Sequence, residues 1–226
     1  MIRAKLTAIC LAVLMPTAGL ASTTIDFEGL VGPGFGAGTQ LTSQDFSTPE
    51  VTITQGAYDG PIGAAGQDVA RNVGDGLLRF WDTGFIGLSN VAYVDPDASV
   101  GEFVFTSAPL SMTTITSFQM SSFTESTETV DVAIFSVVGT SWTSLWSASG
   151  TVLSNNTSPF TFTPGVSSSS PLYLQWRLSG TGSIDNVGID NITLDFAPAV
   201  IPVPASLPLL LGALGLLGVM ARRRAA

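Results

Sequence analysis

The sequence contains no histidine and one cysteine. Its single lysine and single cysteine, Lys5 and Cys10, both lie near the N-terminus, so the chain after them has no thiol, no lysine amine and no imidazole. Ser–His catalysis, Schiff-base chemistry, thiol catalysis and histidine-ligated zinc sites each need one of those groups. An intramolecular disulfide is excluded as well, because one cysteine has no partner within the chain.

Carboxylates are the remaining candidates for catalysis, as in glycoside hydrolysis, where two of them flank the bond that is cut. Glu125, Glu128 and Asp131 are spaced by three residues, which on a strand places neighbours on opposite faces. Two carboxylates that act across one groove need an even spacing. We therefore predict that the protein is not an enzyme, with a carboxylate-dependent polysaccharide hydrolase as an alternative.

Basic residues are scarce in the central part of the chain. Residues 22–200 contain all 17 acidic residues but only three basic ones, Arg71, Arg79 and Arg177, which gives a net charge of −14. So few cations cannot neutralise a phosphate backbone, and we predict no nucleic-acid partner. Divalent cations and neutral polymers remain compatible with this charge, which also favours solubility.

Amphipathic helical periodicity is missing from residues 22–200. Short runs of β-branched and aromatic residues recur there instead, separated by Gly, Ser, Asn, Asp and Pro, a pattern typical of all-β sandwiches. The clearest run is PLYLQWRLS at 171–179, which alternates apolar and polar residues. We predict an all-β fold, a two-sheet antiparallel sandwich, with a jelly roll as the leading topology and an irregular or open sandwich as the alternative. The predicted strands are 24–28, 51–54, 77–81, 91–94, 101–106, 113–121, 129–138, 141–148, 160–163, 171–179 and 187–196.

The first 21 residues have the composition of a secretory signal peptide. Arg3 and Lys5 form a basic start, residues 6–15 are apolar, and Gly19 and Ala21 supply small residues at the −3 and −1 positions of a cleavage site. We predict a signal peptide at 1–21 and an exported domain at 22–200.

The last 26 residues, IPVPASLPLLLGALGLLGVMARRRAA, have three parts in a fixed order. An apolar segment at about 205–221 follows a proline motif and ends in three arginines, which predicts a membrane helix with the arginines on the cytoplasmic side. The strictly apolar run is shorter than the ~20 residues of a comfortable span. The motif is Ile201, Pro202, Val203, Pro204 and Ala205, and the arginines are Arg222, Arg223 and Arg224.

This order of parts resembles the PEP-CTERM class of bacterial sorting signals, in the variant written VPLPA-CTERM. The resemblance covers residues 201–226 and implies an exosortase, a cysteine-dependent membrane transpeptidase-like enzyme, that recognises the tail and cuts near the motif. It also implies export, an inner-membrane intermediate with a cytoplasmic C-terminus, and a final position at the cell surface or in the extracellular matrix. A membrane anchor that is never processed is the alternative.

Acidic residues recur at both ends of the predicted domain. Several secreted proteins with this class of tail resemble the chain here, with a DFE-like first strand (residues 26–28) and an IDN-like last strand (residues 189–191). Carboxylate, amide and carbonyl oxygens are the ligands that calcium prefers. Glu28, Asp185, Asp190 and Asn191, together with Asp26, therefore predict a structural calcium site where the two strands meet. The alternative is that these residues only form turns at strand ends.

Trp142 and Trp146 are four residues apart in the segment SWTSLW. On a regular strand they would share one face, with Ser144 between them. Aromatic rings with hydroxyls nearby form a surface on which a sugar ring stacks, whereas the alternative places both rings in the core. Together these features predict a secreted, surface-sorted envelope or matrix protein with a non-catalytic, binding or structural sandwich, in association with extracellular polysaccharide. The alternative is a permanently membrane-anchored carbohydrate-binding or adhesion domain.

Overall fold

The computed structural model describes residues 21–28, 38–41, 46–63, 78–94, 98–123, 126–154, 158–180, 184–199, 214–215 and 222–223. Residues 1–20 of the predicted signal peptide, the sorting motif at 201–205, Arg224 and most of the predicted membrane segment lie outside these ranges. The four described tail residues are helical. No helix within the described residues is long and apolar enough to cross a membrane.

Twelve strands make up the described part of the domain. Most of them lie where the sequence alternates apolar and polar residues. They are β1 (Ala21–Ile25), β2 (Val51–Tyr58), β3 (Arg79–Trp81), β4 (Val91–Tyr93), β5 (Val100–Ser107), β6 (Ser111–Ser122), β7 (Thr127–Val138), β8 (Ser141–Ser154), β9 (Phe160–Phe162), β10 (Val166–Ser168), β11 (Leu172–Leu178) and β12 (Val187–Pro198). A one-turn 3₁₀ helix, Ile184–Asn186, precedes β12.

The strands form two antiparallel sheets, which confirms the predicted two-sheet sandwich. The five-stranded sheet has the order β2-β5-β11-β7-β8. The seven-stranded sheet has the order β10-β6-β12-β4-β3, with β9 also on β6 and β1 also on β12. The first and last strands of the domain are therefore neighbours, with Ala21 opposite Phe196.

The core lies between the sheets and is built from the apolar face of each strand. On β11 the side chains of Leu172, Leu174 and Trp176 are fully buried, as the alternation predicts. The centroid of the Trp176 ring lies 5.7 Å from that of Phe103. Phe103 is on β5, where it pairs with Leu174 of β11. Each buried side chain of this size contributes about 1.5–3 kcal/mol through removal from water.

Two irregularities in the pairing of β7 with β8 depart from a regular ladder. Register shifts lie between Val130 and Val132 and between Ile134 and Phe135. At the second shift Ile134 pairs with Trp146 and Phe135 with Ser144, so Leu145 is an extra residue on β8. A bulge of this kind reverses the face on which the following side chains lie. Strand β10 was not predicted, and β2 continues beyond the predicted 51–54 to Tyr58.

Candidate functional site

The outer face of the five-stranded sheet carries a shallow groove formed by β7, β8 and β11. Its cavity has a volume of about 250 Å³. Asp131 and Phe135 of β7 line it together with Arg177 of β11, and Ile62 closes one side. The hydroxyl-bearing residues of the groove are Ser144, Ser147 and Ser149 of β8. These residues face away from the core because they alternate with the buried apolar residues of the same strands.

Three aromatic rings form a cluster beside this groove, and one of them, Phe135, lines the cavity itself. The ring of Trp142 lies 4.7 Å from that of Tyr173 and 5.8 Å from that of Phe135. Phe135 is buried, whereas Trp142 and Tyr173 are half-buried and keep ring surface exposed to solvent. The groove thus combines aromatic surface with hydroxyl groups, the mixture that small-molecule sites use.

The charged residues of the groove are paired with each other. Both Nε and Nη2 of Arg177 donate to Oδ2 of Asp131, at 3.4 and 3.2 Å. Oδ1 of Asp131 accepts a hydrogen bond from the backbone N–H of Gly150 at 3.0 Å. Asp131 is therefore held in place from two sides, while the Arg177 side chain remains 41% exposed. An oriented, accessible guanidinium is a good donor to ligand oxygens.

A buried polar group fixes the loop that follows β2 against the sheet. Nε2 of Gln175 donates to Oε2 of Glu102 at 2.7 Å, and Oε1 of Gln175 accepts from the backbone N–H of Gly63 at 2.8 Å. The alternation of the run at 171–179 places Gln175 on the outward face of β11, and its side chain is nevertheless fully buried because this loop covers it. A Cβ atom on Gly63 would lie 2.6 Å from the Phe135 ring, so only glycine fits there.

The expectation that Trp142 and Trp146 share a face is wrong. Trp146 packs against Phe118 and Phe162 of the other sheet, at 6.1 and 5.8 Å, on the core side. The bulge at Leu145 inserts one residue between the two tryptophans and reverses the orientation that an even spacing gives. Trp142 therefore lies on the outer face beside the groove, and Trp146 lies on the core side.

No family model matches the chain, and no curated protein matches it. The chain is similar to several solved structures. One is a GH29 fucosidase from Ruminococcus gnavus in complex with fucose, with 9% identity over 68% of this chain and 26% of the other, at a TM-score of 0.32. Another is the C-terminal domain of a chitobiase from Bacteroides fragilis, with 17% identity over 69% of this chain and 98% of the other, at a TM-score of 0.31.

A CBM4 structure matches with 15% identity over 69% of this chain and 88% of the other, at a TM-score of 0.30. This chain spans about a quarter of the length of the fucosidase chain. A fold can serve many functions, so the function is inferred from the groove itself.

The predicted calcium residues are only partly brought together. Both carboxylate oxygens of Glu28 accept hydrogen bonds at 2.6 Å, one from the Ser89 hydroxyl and one from the Asn90 amide. The buried Asp190 lies near Glu28 and Asp26, so the DFE and IDN segments do meet across β1 and β12. Asn90, which lies between β3 and β4, joins this cluster without any signal in the sequence.

Asp190 has an altered acidity in this cluster. Burial raises the pKa of Asp190 from 3.8 to about 8, and the nearby Glu28 and Asp26 charges add to the increase. The hydrogen bond from the Asn191 backbone N–H, 2.7 Å from Oδ1, acts in the opposite direction. Asp190 is consequently protonated over most of the neutral range.

Two further residues of the predicted calcium site, Asn191 and Asp185, lie beside neighbours other than Ser89 and Asn90, the partners of Glu28. Asn191 adopts a left-handed backbone conformation with φ of 51°, and its amide donates to Oε1 of Gln119 at 2.8 Å. Asp185 lies in the one-turn helix five residues before Asp190, next to Asn186, whose amide bonds Glu128 of β7. Within the described ranges, no three His, Cys, Asp or Glu side chains are grouped so that they could hold a metal ion. Calcium at Glu28, Asp190 and Asn191 stays a prediction.

Proposed function

We propose that the sandwich binds a neutral polysaccharide through the groove on the outer face of the five-stranded sheet. The observation that carries this proposal is the aromatic cluster of Trp142, Tyr173 and Phe135, which adjoins through Phe135 a cavity lined by serine hydroxyls and Arg177. The apolar face of a sugar ring stacks on exposed aromatic surface, while its hydroxyls accept and donate hydrogen bonds. The serines and Arg177 supply those hydrogen bonds at the edge of the ring.

The charge of the groove supports a neutral ligand. Arg177 is already paired with Asp131, so the groove offers no unbalanced positive charge to an acidic sugar. The domain as a whole carries 17 acidic and three basic side chains, a negative field that opposes the approach of an anionic polymer. A neutral polysaccharide needs no unpaired cation in the groove and is not repelled by the negative charge of the domain.

The position of the carboxylates supports binding without catalysis. Asp131 faces the groove, but both its oxygens are engaged by Gly150 and Arg177. Glu128 is buried opposite Leu153 of β8, on the core side of the sheet. Since these two carboxylates lie on opposite faces of β7, they cannot flank one glycosidic bond. A polysaccharide hydrolase is therefore the less favoured alternative.

The order of four strands in each sheet supports a jelly roll. The order β4-β12-β6-β10 in one sheet faces β5-β11-β7-β8 in the other. Successive strands from β4 to β7 alternate between the sheets, as two interleaved Greek keys require. In this topology the groove lies on the consecutive strands β7 and β8 and on β11, which comes later in the chain.

Replacing Trp142 with alanine should weaken polysaccharide binding by about 10- to 100-fold, because a central aromatic anchor commonly contributes 2 kcal/mol or more. A panel of neutral polysaccharides, screened by affinity electrophoresis and followed by titration calorimetry, measures this change. Trp81→Ala is the matched control, since Trp81 is a half-buried tryptophan of the seven-stranded sheet that packs on Tyr93 of the same sheet and on Phe123, away from the groove.

Trp81→Ala should bind like the unaltered protein. The proposal fails if no neutral glycan is retained, or if Trp142→Ala binds as tightly as the parent chain. Release of reducing ends from any polysaccharide in the panel would favour the hydrolase instead.

We further propose that the chain is exported and sorted through residues 201–226, as the PEP-CTERM resemblance implies. The two prolines of the motif disfavour helix and leave an extended backbone that a processing enzyme can bind. The arginines retain the C-terminus on the cytoplasmic side until the cut is made. An exosortase is the partner in this step, and the cell surface or the polysaccharide matrix is the destination.

Replacing Pro202 and Pro204 with alanine should block processing, so that a full-length, membrane-anchored form accumulates. Replacing Arg222–Arg224 with neutral residues should instead weaken retention before the cut. Intact mass and cell fractionation, in a host that has an exosortase, measure both outcomes. If both variants are cut and released like the parent chain, residues 201–226 are not a sorting signal.

A further inference from the structure

The pairing of β7 with β8 contains a bulge at the end of the groove where Asp131 lies. The register shifts between Val130 and Val132, so that two residues of β8, Ser149 and Gly150, lie opposite Asp131. Gly150 has a φ of 66°, a conformation that glycine adopts without strain. Its N–H donates to Oδ1 of Asp131 at 3.0 Å. The bulge thus holds this carboxylate with a backbone donor, in the way that bulges commonly adjust groups beside a site.

The carboxylate held by the bulge orients Arg177 in turn. Arg177 of β11 lies opposite Asp131 in the register of the two strands, and its Nε and Nη2 both donate to Oδ2. This ion pair uses one edge of the guanidinium and leaves Nη1 outside it. With 41% of the Arg177 side chain exposed, the other edge is open to a ligand from the groove.

These two residues determine the charge of the groove. Among the described residues that line it, Asp131 and Arg177 are the charged ones, and the others are apolar or carry hydroxyl groups. A carboxylate or sulfate on a sugar would meet the negative charge of Asp131 together with the positive charge of Arg177. Like charges at such short range oppose each other, so the attraction of Arg177 for an anion is largely cancelled. A sugar hydroxyl can accept from Arg177 without that repulsion.

We infer that Asp131 is the residue that makes the groove select neutral sugars over acidic ones. It acts by positioning Arg177 and by cancelling its charge, so that the guanidinium serves hydroxyl groups and rejects uronic acids and sulfated sugars. This inference rests on the proposed function and adds the group that decides which class of polysaccharide is bound. Removing the charge of Asp131 should therefore convert the groove toward acidic ligands.

The test compares the full chain, in mild detergent, with its Asp131→Asn variant on paired polymers. Each pair is a neutral polysaccharide, a β-glucan or a galactan, and the same polymer after oxidation of its primary alcohols to carboxylates. The parent chain should bind the neutral member more tightly. Asp131→Asn should shift the ratio of the two Kd values toward the oxidised member by about tenfold or more, because Arg177 is then free to donate two parallel bonds to a carboxylate. Titration calorimetry at an ionic strength of about 0.15 M, where charges more than about 8 Å away are largely screened, measures the ratio.

Asp195→Asn is the matched control. Asp195 is a half-buried carboxylate of β12 in the other sheet, so this variant changes the net charge equally but should keep the ratio of the parent chain. The double variant Asp131→Asn, Arg177→Gln should lose the shift, which a merely structural effect of Asp131 would not do. Thermal melting checks that each variant is folded, and Asp131→Ser is a second variant without the charge.

The inference is overturned, with the proposed function intact, if the parent chain binds a neutral polysaccharide and the variants without the Asp131 charge keep its ratio. It is also overturned if Asp195→Asn gives the same shift, or if the shift survives in the double variant. If the parent chain binds none of the neutral polymers, the proposed function fails by itself. In that case binding of an oxidised polymer by Asp131→Asn, lost in the double variant, still supports the role of Asp131, and no binding overturns it.

Discussion

Replacing Gly101 with alanine is expected to destabilise the sandwich by about 3 kcal/mol, the upper part of the usual range for overpacking a core. Gly101 lies opposite Trp176 on β11, and a Cβ atom there would overlap the Trp176 indole and lie 2.6 Å from Cγ2 of Val94. The indole is fully buried between the sheets and cannot move aside. Urea denaturation followed by tryptophan fluorescence measures the free energy of unfolding.

Gly180→Ala is the matched control for this substitution. Its nearest neighbour to an added Cβ is the Thr129 side chain at 3.8 Å, an ordinary contact, so the free energy of unfolding should change by less than about 0.5 kcal/mol. Equal stability of Gly101→Ala and the parent chain would show that Trp176 does not pack on β5 as described.

The stability of the domain should fall as the pH rises from about 4 to about 8, through the ionisation of Asp190. The pKa of Asp190 is about 8 in the folded chain, whereas an unfolded aspartate has a pKa of about 3.9. Between these values the folded state holds a proton that the unfolded state has lost, so raising the pH favours unfolding, by up to about 1.4 kcal/mol per pH unit. Above about pH 8 both states are ionised and the effect is complete.

Asp190→Asn removes this ionisation while keeping an oxygen that accepts from the Asn191 N–H. We expect the variant to match the parent chain near pH 4 and to be more stable by several kcal/mol at pH 8. Urea denaturation at a series of pH values, with chelator present, measures the difference. Asp195→Asn, on the same strand, controls for the loss of one carboxylate. A stability difference between Asp190→Asn and the parent chain that is the same at every pH would contradict the prediction.

Much of the sandwich could be predicted because strand alternation is a local signal. The run at 171–179 placed Leu172, Leu174 and Trp176 in the core, and the structure agrees. The burial of Gln175 could not be predicted from this local alternation. Its outward direction was correct, yet its burial depends on Gly63, more than 100 residues away in the chain.

The positions of the two tryptophans on β8 could not be predicted from their spacing, for a different reason. Trp142 and Trp146 have the even spacing of a shared face, and one extra residue, Leu145, is enough to separate them. The bulge arises from how β8 pairs with β7, and the sequence of β8 alone contains no glycine or proline at that point. Tyr173 joins Trp142 only because β11 and β7 are neighbours in the sheet. The groove was therefore beyond the reach of spacing rules, although Trp142 and Ser144 were named as part of a sugar-stacking surface.

The acidic residues were divided by the same kind of long-range effect. Residues 26–28 and 189–191 were expected to meet, and they do, because β1 pairs with β12. Asp185 is close to Asp190 in the sequence, but it lies in a one-turn helix whose Asn186 amide donates to Glu128 of β7.

The position of β12 determines when this molecule can finish folding. It is the last strand of the domain in chain order, yet it lies in the middle of the seven-stranded sheet, between β6 and both β1 and β4. In a chain that emerges from its N-terminus, β1 must wait for residues 192–196 before it has a partner. Closing so long a loop is slow compared with forming a local hairpin. The earlier strands can pair sheet by sheet, but the sandwich closes only when the segment just before the tail arrives.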